Sequence, residues 1–385
     1  MKLLEEPWKP YWNEGFNMNG YIWYFVFLAL MQFFLLHQKK IFVSENTAPN
    51  TPLNYDKIYD YRAGIVFAIV TFLPLIIVAT NRGTMADTGL YIAMYKEYPS
   101  SIFEIMDFVD WESKDPGFVI FSIIEKQIFG EDPVIWLFII AAISATCMAL
   151  TYRRYTSEIV LCAFLYFTST DFFSWMLNGM RQFLVVTILF ACFPLLQKKK
   201  YIKFILITLV LYTIHSSCLL VIPLYIAALG KPFNKKTMTI LGLMLLAVVF
   251  LTQFTSILGS ALENTDYAGV VNQFGQDDGT NVFRVLMYSI PALLTIIYRK
   301  QIPEDTPPII EISINMSLIT MGIYVVSMFT SGIYIGRIPI YFSLFNYILL
   351  PWEIRTFFPN ERKLVMFGMI GAYLSFYIVQ VIMWS

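Results

Sequence analysis

Four arginines and one histidine stand at the ends of apolar segments, where a membrane protein seldom keeps positive charge. They are Arg82, Arg181, Arg284, Arg337 and His215. A charged side chain at bilayer depth is costly, so it usually faces the protein interior or marks a functional site. The planar fork of arginine N–H groups is well suited to binding phosphate oxygens. These residue types predict a membrane-embedded site for an anionic lipid substrate, with pyrophosphate as the expected anion.

Arg82 and Asp87 form the first candidate site. They lie in the stretch Asn-Arg-Gly-Thr-Met-Ala-Asp-Thr-Gly-Leu-Tyr, residues 81–91, directly after an apolar segment. We interpret Arg82 as a candidate pyrophosphate ligand, and Asp87 as its orienting partner or as a catalytic carboxylate. The alternative is an ordinary ion pair at the membrane interface, which contributes little to stability.

Arg181 is the second candidate pyrophosphate ligand. The turn signal Asn178-Gly179 precedes it, so Arg181 is expected in the first turn of a helix. A cation there opposes the helix dipole, which favours anions at that end. A bound anion between the guanidinium and the leading N–H groups would explain the arrangement. Asn178 and Gln182 are weaker candidates for binding sugar. The alternative is that Arg181 snorkels to lipid headgroups.

His215 and Arg337 complete the candidate set. His215 interrupts two apolar runs. It is either a satisfied structural group or, if functional, a proton carrier or a hydrogen-bond donor to a developing charge. Arg337 is the third candidate pyrophosphate ligand, and nearby Tyr341 is a weaker candidate for binding sugar. The residues leave open whether His215 or Asp87 is the catalytic base. For Arg284 we favour simple snorkelling.

Several kinds of chemistry are missing from the sequence. It has no phosphate loop, no dinucleotide-binding glycine triad and no zinc-type Cys/His spacing. With only two histidines, a multi-histidine metal site is excluded, and neither a metal nor another cofactor is expected. Four cysteines lie inside apolar segments and are interpreted as small buried hydrophobes: Cys147, Cys162, Cys192 and Cys218.

The elements that position these residues must be membrane helices. Hydrophobic residues make up 57% of the chain and charged residues 14%, whereas a soluble domain carries about 25% charge. We predict an all-α, polytopic integral membrane protein, a single domain over residues 1–385 with about 11–13 transmembrane helices. The candidate spans are 21–38, 63–80, 133–150, 158–175, 180–196, 202–215, 216–229, 237–258, 282–298, 309–329, 334–350 and 364–384.

The distribution of charge predicts the orientation of these spans. Basic residues concentrate in alternate short loops, which are expected in the cytoplasm: 39–62, 153–154, 198–203, 231–236, 299–300 and 355–363. The outer loops are then the acidic segments 81–116 and 259–281. The alternation requires that 117–129 does not cross, so we interpret it as a helix at the membrane surface or dipping partway in. The two short spans around His215 form either a broken hairpin or compressed crossings.

The ordered motifs resemble the EpsG family, a branch of the Wzy-like polysaccharide polymerases of bacterial membranes. The likeness extends from about residue 60 to 350. The family often has Glu-Pro where this chain has Asp-Pro. The motifs are an arginine-to-aspartate stretch (Arg82, Asp87, Tyr91), Asp115-Pro116-Gly117-Phe118, Asn178-Gly179-Met180-Arg181-Gln182, His215-Ser216, and a late arginine with aromatics (Arg337, Tyr341, Phe342).

The resemblance implies a membrane-embedded glycosyltransferase of the GT-C-like type that needs neither metal nor nucleotide. Its implied substrate is an oligosaccharide repeat unit on undecaprenyl pyrophosphate, polymerised into exopolysaccharide, capsule or O-antigen. The reaction would take place at the outer face of the cytoplasmic membrane of a bacterium. A chain-length regulator and other export proteins are further expected partners besides the lipid bilayer, and nucleic acid is not.

Two other functions compete with this interpretation. A transporter or flippase of lipid-linked sugars also needs arginines that face phosphate, but it should carry cations along the whole depth of a cavity. The arginines here cluster on one side, and the sequence has no evident inverted repeat. A membrane acyltransferase acting on glycans would use His215, but it gives no reason for three arginines on the outer side.

Overall fold

Helices account for all the regular structure in the described part of the chain. The structure is a computed structural model that describes residues 18–46, 60–112, 115–263 and 279–384. Within these ranges there are α-helices, four 3-10 turns and one π-helix, and no strand. The all-α prediction is therefore confirmed. The chain divides into two units: Met1–Trp111, Pro116–Ala191 and Gly368–Ser385 form the first, and Glu112–Asp115 and Cys192–Phe367 the second.

The first unit is built around two helices that pack along each other, α2 (Ile65–Thr80) and α6 (Pro133–Tyr155). A partly buried ion pair joins α1 (Met18–Glu45) to the residue before α7 (Ile159–Thr168), because Lys39 Nζ lies 2.9 Å from a carboxylate oxygen of Glu158. The helices of this unit are α1 (Met18–Glu45), α2 (Ile65–Thr80), α3 (Thr88–Glu97), α4 (Ile105–Phe108), α5 (Pro116–Phe129), α6 (Pro133–Tyr155), α7 (Ile159–Thr168) and α8 (Met180–Cys192).

The second unit is organised around α15 (Pro308–Met328), most of whose residues are buried. It packs against α11 (Val221–Ala228), α12 (Lys235–Val249), α14 (Val282–Ile297) and α17 (Asn346–Phe357). Asn315 on α15 donates hydrogen bonds to the carbonyl oxygens of Ala228, Gly230 and Lys231, which fixes the turn after α11. The other helices are α9 (Pro194–Gln197), α10 (Tyr201–Tyr212), α11 (Val221–Ala228), α12 (Lys235–Val249), α13 (Leu251–Leu262), α14 (Val282–Ile297), α16 (Ile340–Ser343), α17 (Asn346–Phe357) and α18 (Arg362–Trp384), whose later part belongs to the first unit.

Several helices are long and apolar enough to cross a membrane. Among the described residues there are five, and up to seven if each of two bent helix pairs counts as one span. Four shorter apolar helices accompany them: Ile65–Thr80, Tyr201–Tyr212, Ser216–Ala228 and Val282–Ile297. The chain is thus a multi-pass membrane protein, and the count of 11–13 crossings stays a prediction. Segment 117–129 is helical as predicted, within α5, and its position relative to a bilayer also stays a prediction.

Three predicted spans are not single straight helices. Segment 237–258 bends by 107° between α12 and α13. Segment 334–350 contains a 3-10 turn, the short helix α16 and the start of α17. Pro339, which has no backbone N–H, lies directly before α16 and helps to explain why a continuous helix does not form there.

The third interruption lies between α7 and α8. Predicted span 158–175 ends as a helix at Thr168, and a π-helix, Phe172–Asn178, follows with a bend of 86°. Ser169 Oγ donates to the carbonyl oxygen of Tyr166 and accepts from the backbone N–H of Asp171. Such local side-chain bonds compete with the helical pattern and explain the break. A short non-helical backbone connection therefore separates two buried helical segments.

Candidate functional site

Arg82 in the first unit is a buried cation, only 5% exposed. Its Nη1 donates to the carbonyl oxygen of Met176 at 2.7 Å, and its Nη2 lies 2.8 Å from Sδ of Met180. Its Nε is buried and finds no acceptor among the described residues. Burial lowers the pKa of Arg82 to about 10, so the side chain remains protonated at neutral pH. A buried cation with an unused N–H group is suited to binding an anion.

The two contacts of Arg82 bracket the start of α8. Met176 belongs to the π-helix, and Met180 is the first residue of α8. The leading N–H groups of a helix have no acceptor within the helix and attract negative charge. Asn178 lies between these contacts, and its buried Oδ1 accepts no hydrogen bond from the described residues. π-Helices occur frequently at functional sites. A guanidinium and a helix N-terminus therefore meet at this break.

Arg181 lies in the first turn of α8, as predicted, and is half-buried. Its Nε donates to Oη of Tyr91 at 2.9 Å. The guanidinium also lies over two aromatic rings, 5.2 Å from the centre of Tyr91 and 5.7 Å from that of Phe118. Stacking on aromatic rings fixes the plane of a guanidinium and leaves its edge to form hydrogen bonds. Arg181 is thus held in a defined orientation by α3 and α5.

Contacts between α5 and α3 support the tyrosine that holds Arg181. Lys126 Nζ donates to the carbonyl oxygens of Tyr95, Lys96 and Tyr98, at 3.4, 3.2 and 2.5 Å. These carbonyls lie at the end of α3, where a cation is favourable. Tyr95 Oη donates to Glu125 Oε2 at 2.8 Å, and burial raises the pKa of Glu125 despite this bond. The two charged residues of α5 thus anchor α3 against it.

His215 in the second unit pairs with an aspartate. It lies before the 3-10 turn Ser216–Leu220, and its Nδ1 is 3.4 Å from Oδ2 of Asp115. The backbone N–H of Ser216 donates to Oδ1 of the same carboxylate at 3.2 Å. Asp115 is 4% exposed, whereas the side chain of His215 retains 16% exposure. Nε2 of His215 makes no hydrogen bond with any described residue. Nδ1 of the imidazole therefore contacts Asp115, whereas Nε2 can accept a proton.

Tyr341 supports the turn that carries His215. Its Oη lies 3.0 Å from Oγ of Ser217, and its carbonyl oxygen accepts a 2.6 Å hydrogen bond from Tyr225 Oη. The residue is 1% exposed. In this conformation a sugar has no access to the ring face, so the structure gives Tyr341 a supporting position. Its predicted role in sugar binding stays a prediction.

Arg337 is an exposed residue at the end of the 3-10 turn Ile335–Arg337. This turn belongs to a close crossing of two segments in the second unit. Thr280 N donates to the carbonyl oxygen of Ser327 at 3.1 Å, and Ser327 Oγ donates to Thr280 Oγ1 at 2.7 Å. A side chain at Gly336 would lie 2.5 Å from Thr280 Oγ1. The glycine therefore permits the contact that places the turn with Arg337.

Sequence reasoning was wrong about one contact and missed others. Arg82 forms no ion pair with Asp87; the exposed Asp87 carboxylate has no partner among the described residues. The loop between them turns at Gly83 and Ala86, both with positive φ.

The pairing of Asp115 with His215 was missed, although the motif Asp115-Pro116-Gly117-Phe118 had marked the aspartate. Gln182 is buried on α8, and its role in sugar binding stays a prediction.

The described residues contain no group of three or more His, Cys, Asp and Glu side chains that could hold a metal ion. None of the four cysteines, all of which lie in the described ranges, forms a disulfide, and Cys162 and Cys218 are buried. In comparisons with known proteins, the model of the EpsG family matches residues 65–384, which is most of the chain. No curated protein and no solved structure matches it. The matched range includes every candidate site residue described above.

Proposed function

The chain belongs to the EpsG family, and from this premise we propose that it polymerises oligosaccharide repeat units carried on undecaprenyl pyrophosphate. Family membership supports a polysaccharide polymerase-type membrane protein in general. The proposed acceptor is the sugar hydroxyl of one lipid-linked unit, and the proposed donor is a growing glycan on another. The proposed products are exopolysaccharide, capsule or O-antigen at the outer face of a bacterial cytoplasmic membrane.

The observation that carries this proposal is the pair of arginines at the break before α8. When the bond between the anomeric carbon and the phosphate oxygen breaks, negative charge develops on the leaving pyrophosphate. Preorganised cations lower the barrier of such a step. The buried Arg82 has an N–H group, on Nε, for which no described residue is an acceptor, and Arg181 is held in place by Tyr91. We assign both to the leaving pyrophosphate, and Arg337 keeps its predicted role as a third ligand.

His215 is proposed as the base that accepts the proton of the attacking hydroxyl. The new bond forms between that hydroxyl oxygen and the anomeric carbon, and the proton passes to the imidazole nitrogen Nε2. An imidazole changes its charge near neutral pH, as a general base should. Asp87 is an exposed carboxylate without a partner among the described residues, so no described contact orients it toward a substrate. The activated donor supplies the energy, so the scheme uses no metal or nucleotide.

The test is to replace Arg181 with alanine and with lysine in cells that lack the native copy. Lipid-linked glycans would be resolved on a gel after equal membrane levels are confirmed. We expect Arg181→Ala to reduce chain extension on the order of 10²–10³-fold, with single repeat units accumulating at the outer leaflet. Arg181→Lys keeps the charge but loses the planar fork, so it should recover only part of the activity.

Arg284→Ala is the matched control, because Arg284 also lies in the first turn of a helix, α14, and has no assigned role. It should extend chains normally. Long glycans in both Arg181 variants would contradict the proposed role of Arg181. Repeat units trapped at the inner leaflet would instead indicate a transporter of lipid-linked sugars.

A further inference from the structure

We infer that Asp115 is a positioning residue for His215, fixing which imidazole nitrogen carries the proton. The inference rests on the proposed function, because it assumes that His215 is the base. Asp115 lies 100 positions away from His215 in the sequence, and both belong to the second unit. No other described carboxylate forms an ion pair with this histidine.

The geometry gives each carboxylate oxygen of Asp115 a separate task. Oδ1 accepts the backbone N–H of Ser216 at 3.2 Å, which holds the turn between α10 and the following 3-10 helix. Oδ2 faces Nδ1 of His215 at 3.4 Å. The aspartate side chain is fully buried in the ion pair, so water does not compete for its oxygens. Its backbone has a φ of +63°, a conformation that aspartate tolerates better than most residues.

This arrangement selects one neutral tautomer of the imidazole. A carboxylate is an acceptor only, so the proton of a neutral imidazole is favoured on Nδ1, which faces it. Nε2 then carries a lone pair and can accept the proton of a sugar hydroxyl. After that transfer the ring is positively charged, and the neighbouring carboxylate stabilises it. Asp115 itself neither gains nor loses a proton in this sequence.

An asparagine at position 115 separates the two tasks. Its Oδ1 can still accept the Ser216 N–H, so the turn is retained. Its amide nitrogen would then face Nδ1 of His215 and donate to it, which favours the tautomer with the proton on Nε2. That tautomer has no lone pair at the position where the base must act. Asp115→Asn should therefore impair the chemistry while leaving the fold and substrate binding nearly unchanged.

The experiment is a double-mutant cycle on the full-length protein in membranes, measuring the rate of chain extension from lipid-linked repeat units. The variants are Asp115→Asn, His215→Gln and both together, with Asp107→Asn as the control for losing one exposed acid from the same stretch. We expect His215→Gln and Asp115→Asn each to lower kcat on the order of 10²–10⁴-fold, with little change in KM. The double variant should be no slower than His215→Gln alone.

The outcomes separate the inference from the proposed function. If His215→Gln is inactive but Asp115→Asn extends chains normally, the positioning role is wrong and the base assignment survives. If the two losses multiply, Asp115 acts independently of His215, which also overturns the inference. An active His215→Gln would refute the base assignment itself. Asp115→Glu keeps a carboxylate and should retain much of the activity that Asp115→Asn loses. Equal losses of activity in Asp115→Glu and Asp115→Asn, together with a lowered melting temperature, would indicate a purely structural role for Asp115.

Discussion

At the scale of single residues, the burial of Arg82 gives the clearest physical argument for an anion. A guanidinium removed from water is destabilised unless its N–H groups find acceptors. Arg82 uses a carbonyl oxygen and a thioether sulfur, and its Nε remains unused among the described residues. Neither acceptor carries a negative charge. A phosphate oxygen would supply both the missing acceptor and the missing charge.

Pyrophosphate should therefore stabilise the purified protein through Arg82. A ligand that binds only the folded state at about 100 times its Kd contributes about 2.7 kcal/mol. We expect a rise in melting temperature when inorganic pyrophosphate is added to the wild type in detergent. In Arg82→Met, which keeps a long apolar stem without charge, the rise should disappear. A matching rise in Arg82→Met would show that the anion binds elsewhere.

The pKa of Arg82 sets the pH limit of this effect. Because burial lowers this pKa to about 10, the cation is present at neutral pH and is lost as the pH rises through about 10. Stabilisation by pyrophosphate should decline over the same range. For the protein without anion the sign is opposite: the lowered pKa means that folding is penalised most below about pH 10, and this penalty fades above it.

Residue types alone identified the arginines but not their partners. The cost of charge in an apolar segment made Arg82, Arg181 and His215 conspicuous, because few side chains there are ionisable. Their partners depend on contacts between distant parts of the chain. Arg181 meets Tyr91 at a separation of 90 residues, and His215 meets Asp115 at 100. The spacing of residues within a local motif cannot predict contacts between residues so far apart in the sequence.

At the scale of elements, α5 holds α3, which carries Tyr91, a contact of the candidate ligand Arg181. Lys126 donates to three carbonyl oxygens at the end of α3, and Tyr91 on α3 holds Arg181. Lys126→Met leaves three carbonyl oxygens, two of them in buried contacts, without this donor, which should cost about 1–3 kcal/mol. We expect a lower melting temperature and a raised KM for the lipid-linked donor. The exposed neighbour Lys96→Met is the control and should change neither; equal effects in both variants would contradict the anchoring role.

The close crossing beside Arg337, between the backbone at Gly279 and the backbone at Gly332, depends on glycine at position 332. A Cβ at Gly332 would lie 2.7 Å from the carbonyl oxygen of Gly279, and backbone atoms cannot yield as a flexible side chain can. Gly332→Ala should destabilise the protein by about 1–3 kcal/mol. Thermal unfolding measures this directly. Gly368→Ala is the comparison, because no described atom lies within 4 Å of its added methyl and the helix α18 favours alanine. Unfolding at the same temperature in both variants would refute the close crossing.

Hydropathy located the apolar elements but not where they break. Segments 158–175 and 237–258 are apolar enough for one span each, yet they bend by 86° and 107°. The first break follows from Ser169, whose side chain forms hydrogen bonds with the neighbouring backbone. A hydropathy average over 18 or 20 residues does not detect this local competition between hydrogen bonds. The π-helix after this break leads into α8, and Arg82 contacts Met176 of the π-helix and Met180 of α8.

At the scale of the whole molecule, the proposal requires the loop that carries Arg82 to face the outer side of the membrane. Basic residues concentrate in alternate loops, which predicts that 198–200 is cytoplasmic and 81–87 is not. Single cysteines at Thr84 and Lys199, both exposed, test this orientation. The native cysteines give little background, because two are buried and two are half-buried within or beside apolar helices.

In intact spheroplasts, a membrane-impermeant maleimide should label Thr84→Cys and should label Lys199→Cys only after lysis. Extension of chains by both variants would show that the labelled proteins are folded. In the proposed reaction, the donor pyrophosphate can reach Arg82 from the outer leaflet only in this orientation. Labelling of Lys199→Cys in intact spheroplasts, with Thr84→Cys protected, would invert the topology. Arg82 would then face lipid-linked sugars at the inner leaflet, where a transporter rather than a polymerase must first bind them.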